Sequence, residues 1–459
     1  MNALAPKVSI VIPSLNTAKF YKECIESVLH QSLEDIEVIC VDAHSDDGTL
    51  EIIKDYQQKD PRVHLIVSDK RSYGYQMNLG IKAAKGEYLG IVESDDYIEK
   101  DMYKKLYDLA HKYKLDVLKC DLLSFYGEKK EERKFIYEHI CYDKTLYEKL
   151  FDEQVLETES AGALYKLFLK DTWNMNQPGL YSLNFLRKFR LKFNESAGAS
   201  YQDTGFWFQM QILAKRIYFH KQAYYCYRRD NENSSVHSKG KVYAICEEFD
   251  FIKAFLKQYP KLEKEYITLF SYLRFGAYNW NLNRIGDEYK LEFLYKFQED
   301  FLRIKAANEL DFVYFEDWQR QRLERILKNP KEFYEELYLK PQGAVLRVKN
   351  HLAYKLGQTF LHARNPKRIL LLPWDIAKAG LGHYFEKLVY KQMIKINPAL
   401  KLIPLENYGD YEEALRVKKH LSYRLGQAFL KNPFSFIFKI PKIYKEFKIQ
   451  KRRAGVKTP

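Results

Sequence analysis

Short apolar runs alternate with amphipathic segments along the first 115 residues of the chain. Four runs of mainly aliphatic residues have the length of buried strands, and each is followed by a segment with helical spacing of its apolar positions. The predicted strands are 8–13, 37–42, 63–67 and 88–92, and the predicted helices are 18–31, 49–58, 75–84 and 100–113. Because strands that alternate with helices favour a mostly parallel sheet covered on both faces, we predict an α/β fold.

Polar loops follow three of these strands, at residues 14–16, 42–48 and 93–96. The carboxyl ends of parallel strands share one edge of a sheet, so these loops should converge on a single site. The loop after the fourth strand carries Glu93, Asp95 and Asp96. Carboxylates gathered in this way suit a hard divalent cation such as Mg²⁺ or Mn²⁺, which takes oxygen ligands. For this segment alone, a solvated loop is the alternative interpretation.

The rest of the chain is less regular and ends in a repeat. Residues 116–240 are mixed and aromatic, residues 241–340 have helical patterns, and residues 346–361 recur at 415–430 with twelve of sixteen positions identical. Within each copy the apolar residues fall four apart, which predicts one apolar helical stripe. We therefore predict three regions: an α/β domain (1–240), a helical region (241–340) and a basic amphipathic tail (341–459).

The chain is basic, with a net charge of +14 and a pI near 9.1, which favours an anionic partner. Aromatic and basic residues interleave from 433 to 453. This pattern suits an anionic membrane surface, although a helical hairpin followed by a disordered basic tail is an alternative. No nucleic-acid motif accompanies it, so we expect no nucleic-acid partner.

Two further features bear on location. No run approaches the roughly 20 apolar residues that span a bilayer, so membrane contact would be peripheral. The six cysteines are scattered without CxxC spacing, which is typical of reduced thiols in a cytosolic protein. We therefore expect a cytoplasmic protein that lies on the inner face of the cytoplasmic membrane.

Four motifs together resemble the family 2 glycosyltransferases of GT-A fold. They are the segment 8–16, the segment 41–49, Asn78-Leu79-Gly80 with residues 86–88, and Glu93-Ser94-Asp95-Asp96. Each motif alone is weak, but the four in this order and spacing are specific. The resemblance covers about residues 7–240. It implies a bacterial hexosyltransferase that moves a sugar from a nucleotide-sugar donor to a hydroxyl of a glycan or lipid-linked acceptor.

The resemblance also implies roles for individual residues. Asp95 matches the metal-binding acid that ends the family's DxD motif. The donor-binding positions are Pro13, Leu15, Asp42, Asn78, Glu93, Ser94 and Arg228. For Asn78 the alternative role is bracing a neighbouring loop. The chain departs from the family where Ala43 replaces a frequent second Asp and where Asp230 replaces a frequent His.

Asp203 is the candidate catalytic base, because the acceptor hydroxyl must lose a proton as it attacks. It lies just before an aromatic segment, in the place where family members supply an acid. Capping the helix that starts near Thr204 is its alternative role. The family implies inversion by a single displacement. The main competing hypothesis is a catalytically silent GT-A-like protein that binds a membrane or a partner. A nucleotidylyltransferase is disfavoured because residues 13–16 lack a glycine-rich phosphate loop.

Overall fold

The computed structural model describes residues 5–128, 130–156, 166, 168–232, 234, 238–363 and 366–453. The chain divides into two compact units. The first comprises residues 1–289 and 303–314, and the second comprises residues 290–302 and 315–459. The boundaries predicted near residues 240 and 340 stay predictions.

One mixed sheet forms the centre of the first unit. Its strands are β1 Val8–Ser14, β2 Ile36–Asp42, β3 Val63–Val67, β4 Tyr88–Ile91, β5 Tyr97–Ile98, β6 Val117–Tyr126, β7 Lys134–Glu138, β8 Leu150–Phe151, β9 Gly179–Ser182 and β10 Ile217–Arg228. Their order in the sheet is β3-β2-β1-β4-β9-β6-β10-β5, with β7 paired to β6 and β8 paired to β10. The first four strands pair in parallel, as the alternating pattern predicted.

Helices flank these strands in sequence. The α-helices of the first unit are Ala18–Leu29, Thr49–Lys59, Tyr73–Ala83, Met102–Tyr113, Glu153–Leu156, Leu183–Lys188, Gln202–Leu213, Ala244–Leu256 and Pro260–Arg284. Every residue of β1 and β2 is buried, which explains why these strands are mainly apolar and show no regular alternation of apolar and polar residues. The predicted α/β fold, followed by a mainly helical C-terminal region, is confirmed.

The second unit is helical in its described part. Its α-helices are Asp317–Lys328, Pro330–Tyr334, Ala344–Lys349, Leu352–His362, Pro366–Ile396, Tyr411–Lys419, Leu421–Lys431 and Phe436–Arg453. A further helix, Lys290–Ala306, contains the boundary at residue 302. The prediction of one apolar helical stripe per repeat copy is wrong, because each copy forms two helices. His351 and His420 have extended backbones (ψ 141° and 148°), which end one helix and begin the next.

The two repeat copies pack against each other with two-fold character. An offset of 69 relates Ala353 to Ser422 and Gly357 to Gly426. A Cβ added at Gly357 would lie 1.5 Å from the Ser422 carbonyl oxygen, and one added at Gly426 would lie 1.7 Å from the Ala353 oxygen. Each copy thus presents the same patch to the other, which is the reciprocal pattern of an isologous interface.

We predict that Gly357→Ala destabilises the second unit by about 1–3 kcal/mol or more, because a methyl group cannot enter a backbone crossing this close. The measurement is the free energy of unfolding in urea. Gly380→Ala is the matched control, since a Cβ at this helical position meets nothing within 4 Å. There, alanine should stabilise the helix by up to about 1 kcal/mol. Equal stability of Gly357→Ala and wild type would rule out the close crossing.

Candidate functional site

Asp42 joins the carboxyl ends of β1 and β2. The two strands pair in register at Ser14 and Asp42. The Asp42 carboxylate is fully buried and accepts the Ser14 hydroxyl at 2.9 Å, the Ser45 hydroxyl at 2.6 Å and the Ser45 N–H at 2.8 Å. These bonds fix the loop that follows β2 against the end of β1. The contact of Asp42 with a nucleotide stays a prediction.

One turn of the helix Tyr73–Ala83 connects this corner to the acidic loop. The Gln76 amide donates to the Ser14 carbonyl at 2.9 Å and to the Val41 carbonyl at 2.6 Å. Three residues earlier, the Tyr73 hydroxyl donates to Glu93 Oε1 at 2.7 Å. The same helix therefore holds the ends of β1 and β2 and the first carboxylate after β4.

The acidic loop, residues 93–96, is tied to β10 through Tyr225 and Arg228. The Tyr225 hydroxyl accepts the Glu93 N–H at 3.0 Å and donates to Asp96 Oδ2 at 2.6 Å, and the Arg228 N–H donates to Asp96 Oδ1 at 2.7 Å. Asp96 is only 1% exposed, and burial raises its pKa. Asp96 therefore orients the loop from beneath, while Glu93 and Asp95 remain partly exposed.

Asp95 and Arg228 meet at the end of this loop. The Asn231 amide donates to Asp95 Oδ2 at 2.7 Å, and Arg228 Nε donates to the Asp95 carbonyl at 2.8 Å. The Arg228 guanidinium lies over the rings of Phe20 and Phe125 and forms an ion pair with Glu23 at 3.0 Å. Arg228 is thus buried and bound to protein groups in this structure, and its contact with phosphate stays a prediction.

Asp203 is the second residue of the helix Gln202–Leu213. The helix begins directly after Tyr201, whose φ is 64°. The adjacent residues Asn176 and Gln177 connect Asp203 to the acidic loop. The Asn176 amide donates to the Asp203 carbonyl at 2.8 Å, and the Gln177 amide donates to Glu93 Oε1 at 2.6 Å. Residues far apart in sequence are therefore held at one edge of the sheet. Asn176 Oδ1 is buried and has no hydrogen-bond partner in the described part of the chain.

Burial raises the pKa values of the carboxyl groups at this edge. The pKa of Glu93 rises to about 7, mainly by burial and further by the negative charges of Asp95 and Asp203, against the hydrogen bonds from Gln177 and Tyr73. Burial raises the pKa of Asp203 to about 6 and that of Glu248 to about 8, and the charge of Asp203 adds to the shift of Glu248. The site therefore concentrates negative charge that a cation would stabilise.

The carboxylates at this edge are of the chemical type that Mg²⁺ or Mn²⁺ binds. No three His, Cys, Asp or Glu side chains converge as a metal-binding group among the described residues. Glu93 and Asp95 supply carboxylates in one loop, and Mg²⁺ commonly binds to one or two protein carboxylates together with phosphate and water.

The other predicted donor residues lie around the same loops. Pro13 is buried, Leu15 is 38% exposed and Ser94 is buried. Asn78 donates to the Phe193 carbonyl and to Glu195, both at 3.0 Å, and its Oδ1 accepts the Phe193 N–H at 2.9 Å. This geometry is that of the bracing role, and the position of Asn78 in a donor site stays a prediction.

Sequence reasoning assigned no role to the residues that hold the loops and carboxylates of the site in place. They are Tyr73, Gln76, Asn176, Gln177, Tyr225 and Asn231. Each acts on a partner at least 20 residues away, and none lies in a recognisable motif. Polar residues in or beside buried segments were the only available indication.

Comparisons with known proteins are consistent with this geometry. Residues 9–171 match the family described as "Glycosyl transferase family 2", and residues 277–449 match a "Domain of unknown function (DUF8374)". The chain is 30% identical over 231 residues to "Uncharacterized glycosyltransferase EpsJ" of Bacillus subtilis, a match that covers 50% of this chain and 63% of that relative. It is 28% identical over 226 residues to "Glycosyltransferase GlyG" of Streptococcus pneumoniae, covering 48% of this chain and 70% of that protein.

The fold is similar to a solved structure. Residues 1–349 of S. aureus TarS align with a TM-score of 0.50 and 19% identity, covering 72% of this chain and 91% of that one. At this identity the likeness concerns the fold alone.

We predict that Tyr225→Phe destabilises the protein by about 1–3 kcal/mol, because Asp96 Oδ2 and the Glu93 N–H each lose a buried partner. Urea unfolding measures the change. Tyr224→Phe is the matched control, since the Tyr224 hydroxyl binds no residue in the described part of the chain and its loss should change stability little. If the two variants unfold alike, Tyr225 does not hold the acidic loop.

Proposed function

We propose that this chain, whose N-terminal domain belongs to the glycosyl transferase family 2, transfers a sugar from a nucleotide-sugar donor to an acceptor hydroxyl with inversion. The family match, the relatives named as glycosyltransferases and the GT-A type of fold support the general activity. One observation carries the assignment to particular residues. Asn176 and Gln177 join the backbone of Asp203 to the carboxylate of Glu93.

The donor would bind along the loops that follow β1, β2 and β4. Leu15 is 38% exposed beside polar backbone, so its side chain offers an apolar surface for a nucleotide base. Pro13 and Asp42 shape this corner from inside. Asp42 does so through its bonds to Ser14 and Ser45. Ser94 and Glu93 lie next along the sheet edge, where the ribose and diphosphate would follow, with Asn78 bracing the segment opposite.

Asp95, with Glu93, would hold a divalent cation against the donor diphosphate. When bound, the cation supplies Lewis-acid stabilisation of the negative charge on the leaving nucleoside diphosphate. Asn231 holds one Asp95 oxygen and thereby fixes the direction of the carboxylate. Arg228 positions the same residue through its backbone carbonyl, and it would reach phosphate only by exchanging its present partners.

Asp203 would accept the proton of the acceptor hydroxyl. In a single displacement the acceptor oxygen forms a bond to the anomeric carbon while the bond to the diphosphate oxygen breaks. The hydroxyl proton passes to a carboxylate oxygen of Asp203. A base works best when its pKa lies near the working pH, and burial raises the pKa of Asp203 to about 6. The Asn176 bond to the Asp203 carbonyl fixes the start of the helix that presents this side chain.

We expect Asp203→Asn to lower kcat by about 10²–10⁴-fold, because an amide cannot accept the proton. The assay is nucleoside diphosphate release across a panel of nucleotide-sugars and acceptors, with and without Mn²⁺. Asp55→Asn, an exposed change in the helix Thr49–Lys59, is the control and should keep the full rate. Full activity of Asp203→Asn would exclude it as the base. A wild-type protein inactive across the whole panel would favour the catalytically silent alternative.

We also expect kcat/KM to fall as the pH drops from 7 to below 6. Glu93 and Asp203 must both be ionised in the active form, and their pKa values are about 7 and about 6. Below about pH 6 both carboxyl groups are mostly protonated in the free enzyme, and both must lose a proton for activity. The fall in kcat/KM should therefore exceed one order of magnitude per pH unit there. Glu93→Gln should remove the upper step and keep the lower one. A flat profile through this range would contradict the assignment.

A further inference from the structure

Each repeat copy of the second unit is followed by a helix that packs on it in an equivalent way. Pro366–Ile396 follows the first copy and Phe436–Arg453 follows the second. Lys355 forms an ion pair with Glu386 at 2.5 Å, and Arg424 forms one with Glu446 at 2.5 Å. Lys355 and Arg424 are equivalent under the offset of 69. The two ion pairs thus start from equivalent repeat positions, although Glu386 and Glu446 are not themselves related by that offset.

Two open grooves lie between the repeat helices and these following helices. The first has a volume of about 510 Å³ and the second about 320 Å³. Four repeat positions line both grooves, as Lys355, Gln358, Thr359 and His362 in the first and as Arg424, Gln427, Ala428 and Lys431 in the second. The repeat-helix sides of the two grooves are therefore equivalent, while the following helices contribute different positions to each groove.

Both grooves are strongly basic. The first is lined by Lys349, Lys355, Arg368 and Lys378, with Asp375 as its one carboxylate. The neighbouring charges act on His383, whose pKa is lowered by burial and then by Lys387 and Lys355.

The second groove has the same balance of charge. It is lined by Arg424, Lys431, Lys439 and Lys442, with Glu446 as its one carboxylate. Four cations around one acid form a site for a phosphate-bearing group.

Large apolar side chains are exposed beside the grooves. On Pro366–Ile396 the exposed fractions reach 82% for Leu370, 71% for Trp374 and 86% for Ile396. Next to the second groove, Phe434 is 94% exposed and Phe438 is 84% exposed. Leu370 and Trp374 lie four residues apart on one helix and so share a face, and grouped apolar exposure of this kind marks an interaction surface.

We propose that the second unit docks on an anionic lipid bilayer, with headgroup phosphates in the two basic grooves and the exposed apolar side chains at the headgroup–acyl boundary. Basic helices with large apolar residues bind to such interfaces. The two following helices carry thirteen basic and three acidic residues, so pairing with a second copy would oppose like charges. Nucleic acid would match the charge, but it would leave Leu370, Trp374 and Phe438 without an apolar partner.

The structure also changes where the membrane contact lies. The tail predicted from sequence included the second repeat copy, but this copy is used in packing, with Leu425 5% exposed and Gly426 against Ala353. The contact surface consists of Pro366–Ile396 and residues 434–444. Among the described residues, no helix has the length and apolar character to cross a bilayer.

The test is co-sedimentation of the full chain with phosphatidylcholine vesicles, with and without one third phosphatidylglycerol. We expect binding to the anionic vesicles that weakens with salt. The double variant Lys378→Glu/Lys442→Glu should lower vesicle affinity at least about tenfold. Each substitution removes the attraction of one basic residue to the anionic surface and adds repulsion. Trp374→Ser/Phe438→Ser should weaken binding even at low salt. Lys328→Glu/Lys331→Glu is the control, because it makes the same charge change on exposed residues outside the grooves.

Circular dichroism establishes that each variant is folded. Equal binding to neutral vesicles, or an equal loss in the control, would overturn the proposal. Two other results would also overturn it. One is a change only in a monomer–dimer equilibrium by sedimentation velocity. The other is tight binding to an RNA duplex that Trp374→Ser/Phe438→Ser leaves unaltered while vesicle binding is absent.

Discussion

Holding several carboxylates at one edge of the sheet, against their repulsion and their loss of water, is the constraint on which the first unit depends. Burial disfavours the charged forms of Glu93, Asp95 and Asp203. Donors on separate segments offset that cost. Tyr73 and Gln177 donate hydrogen bonds to the Glu93 carboxylate, and Asn231 donates one to the Asp95 carboxylate. The offset is incomplete, since the pKa values remain raised, and the uncompensated negative charge is of the kind that a bound cation would stabilise.

Sequence predicts those features of the site that depend on a local pattern of apolar and polar residues. Strands β1 and β2 are buried throughout, so their apolar runs identify them, and the polar residues after them locate the sheet edge. The support for the carboxylates is not local. Strand β9 has four residues, Gly179–Ser182, and inserts antiparallel between β4 and β6. A strand this short has too few positions for a recognisable pattern, yet a single residue separates it from Asn176 and Gln177.

In the second unit, too, the sequence predicts local features but not the contacts between distant segments. The repeat is plain in the sequence, but its meaning depends on a contact between copies. In the structure, the backbones of the two copies cross at Gly357 and Gly426, and the repeat pattern alone gave no sign of this crossing. His351 and His420 break each copy into two helices. Helical periodicity did not reveal these breaks, because the apolar spacing continues across them in the sequence.

The raised pKa values connect stability with function. A carboxyl group whose pKa is higher in the folded chain binds its proton more tightly when folded, so folding weakens as the pH rises from the unfolded pKa to the folded one. For Glu93 that interval runs from about 4.5 to about 7, and for Glu248 it extends to about 8. Near neutral pH the first unit therefore holds carboxyl groups whose ionisation works against the fold. A cation and donor bound there would favour the ionised forms and return part of that stability, so the groups that weaken the empty site are those that strengthen the loaded one.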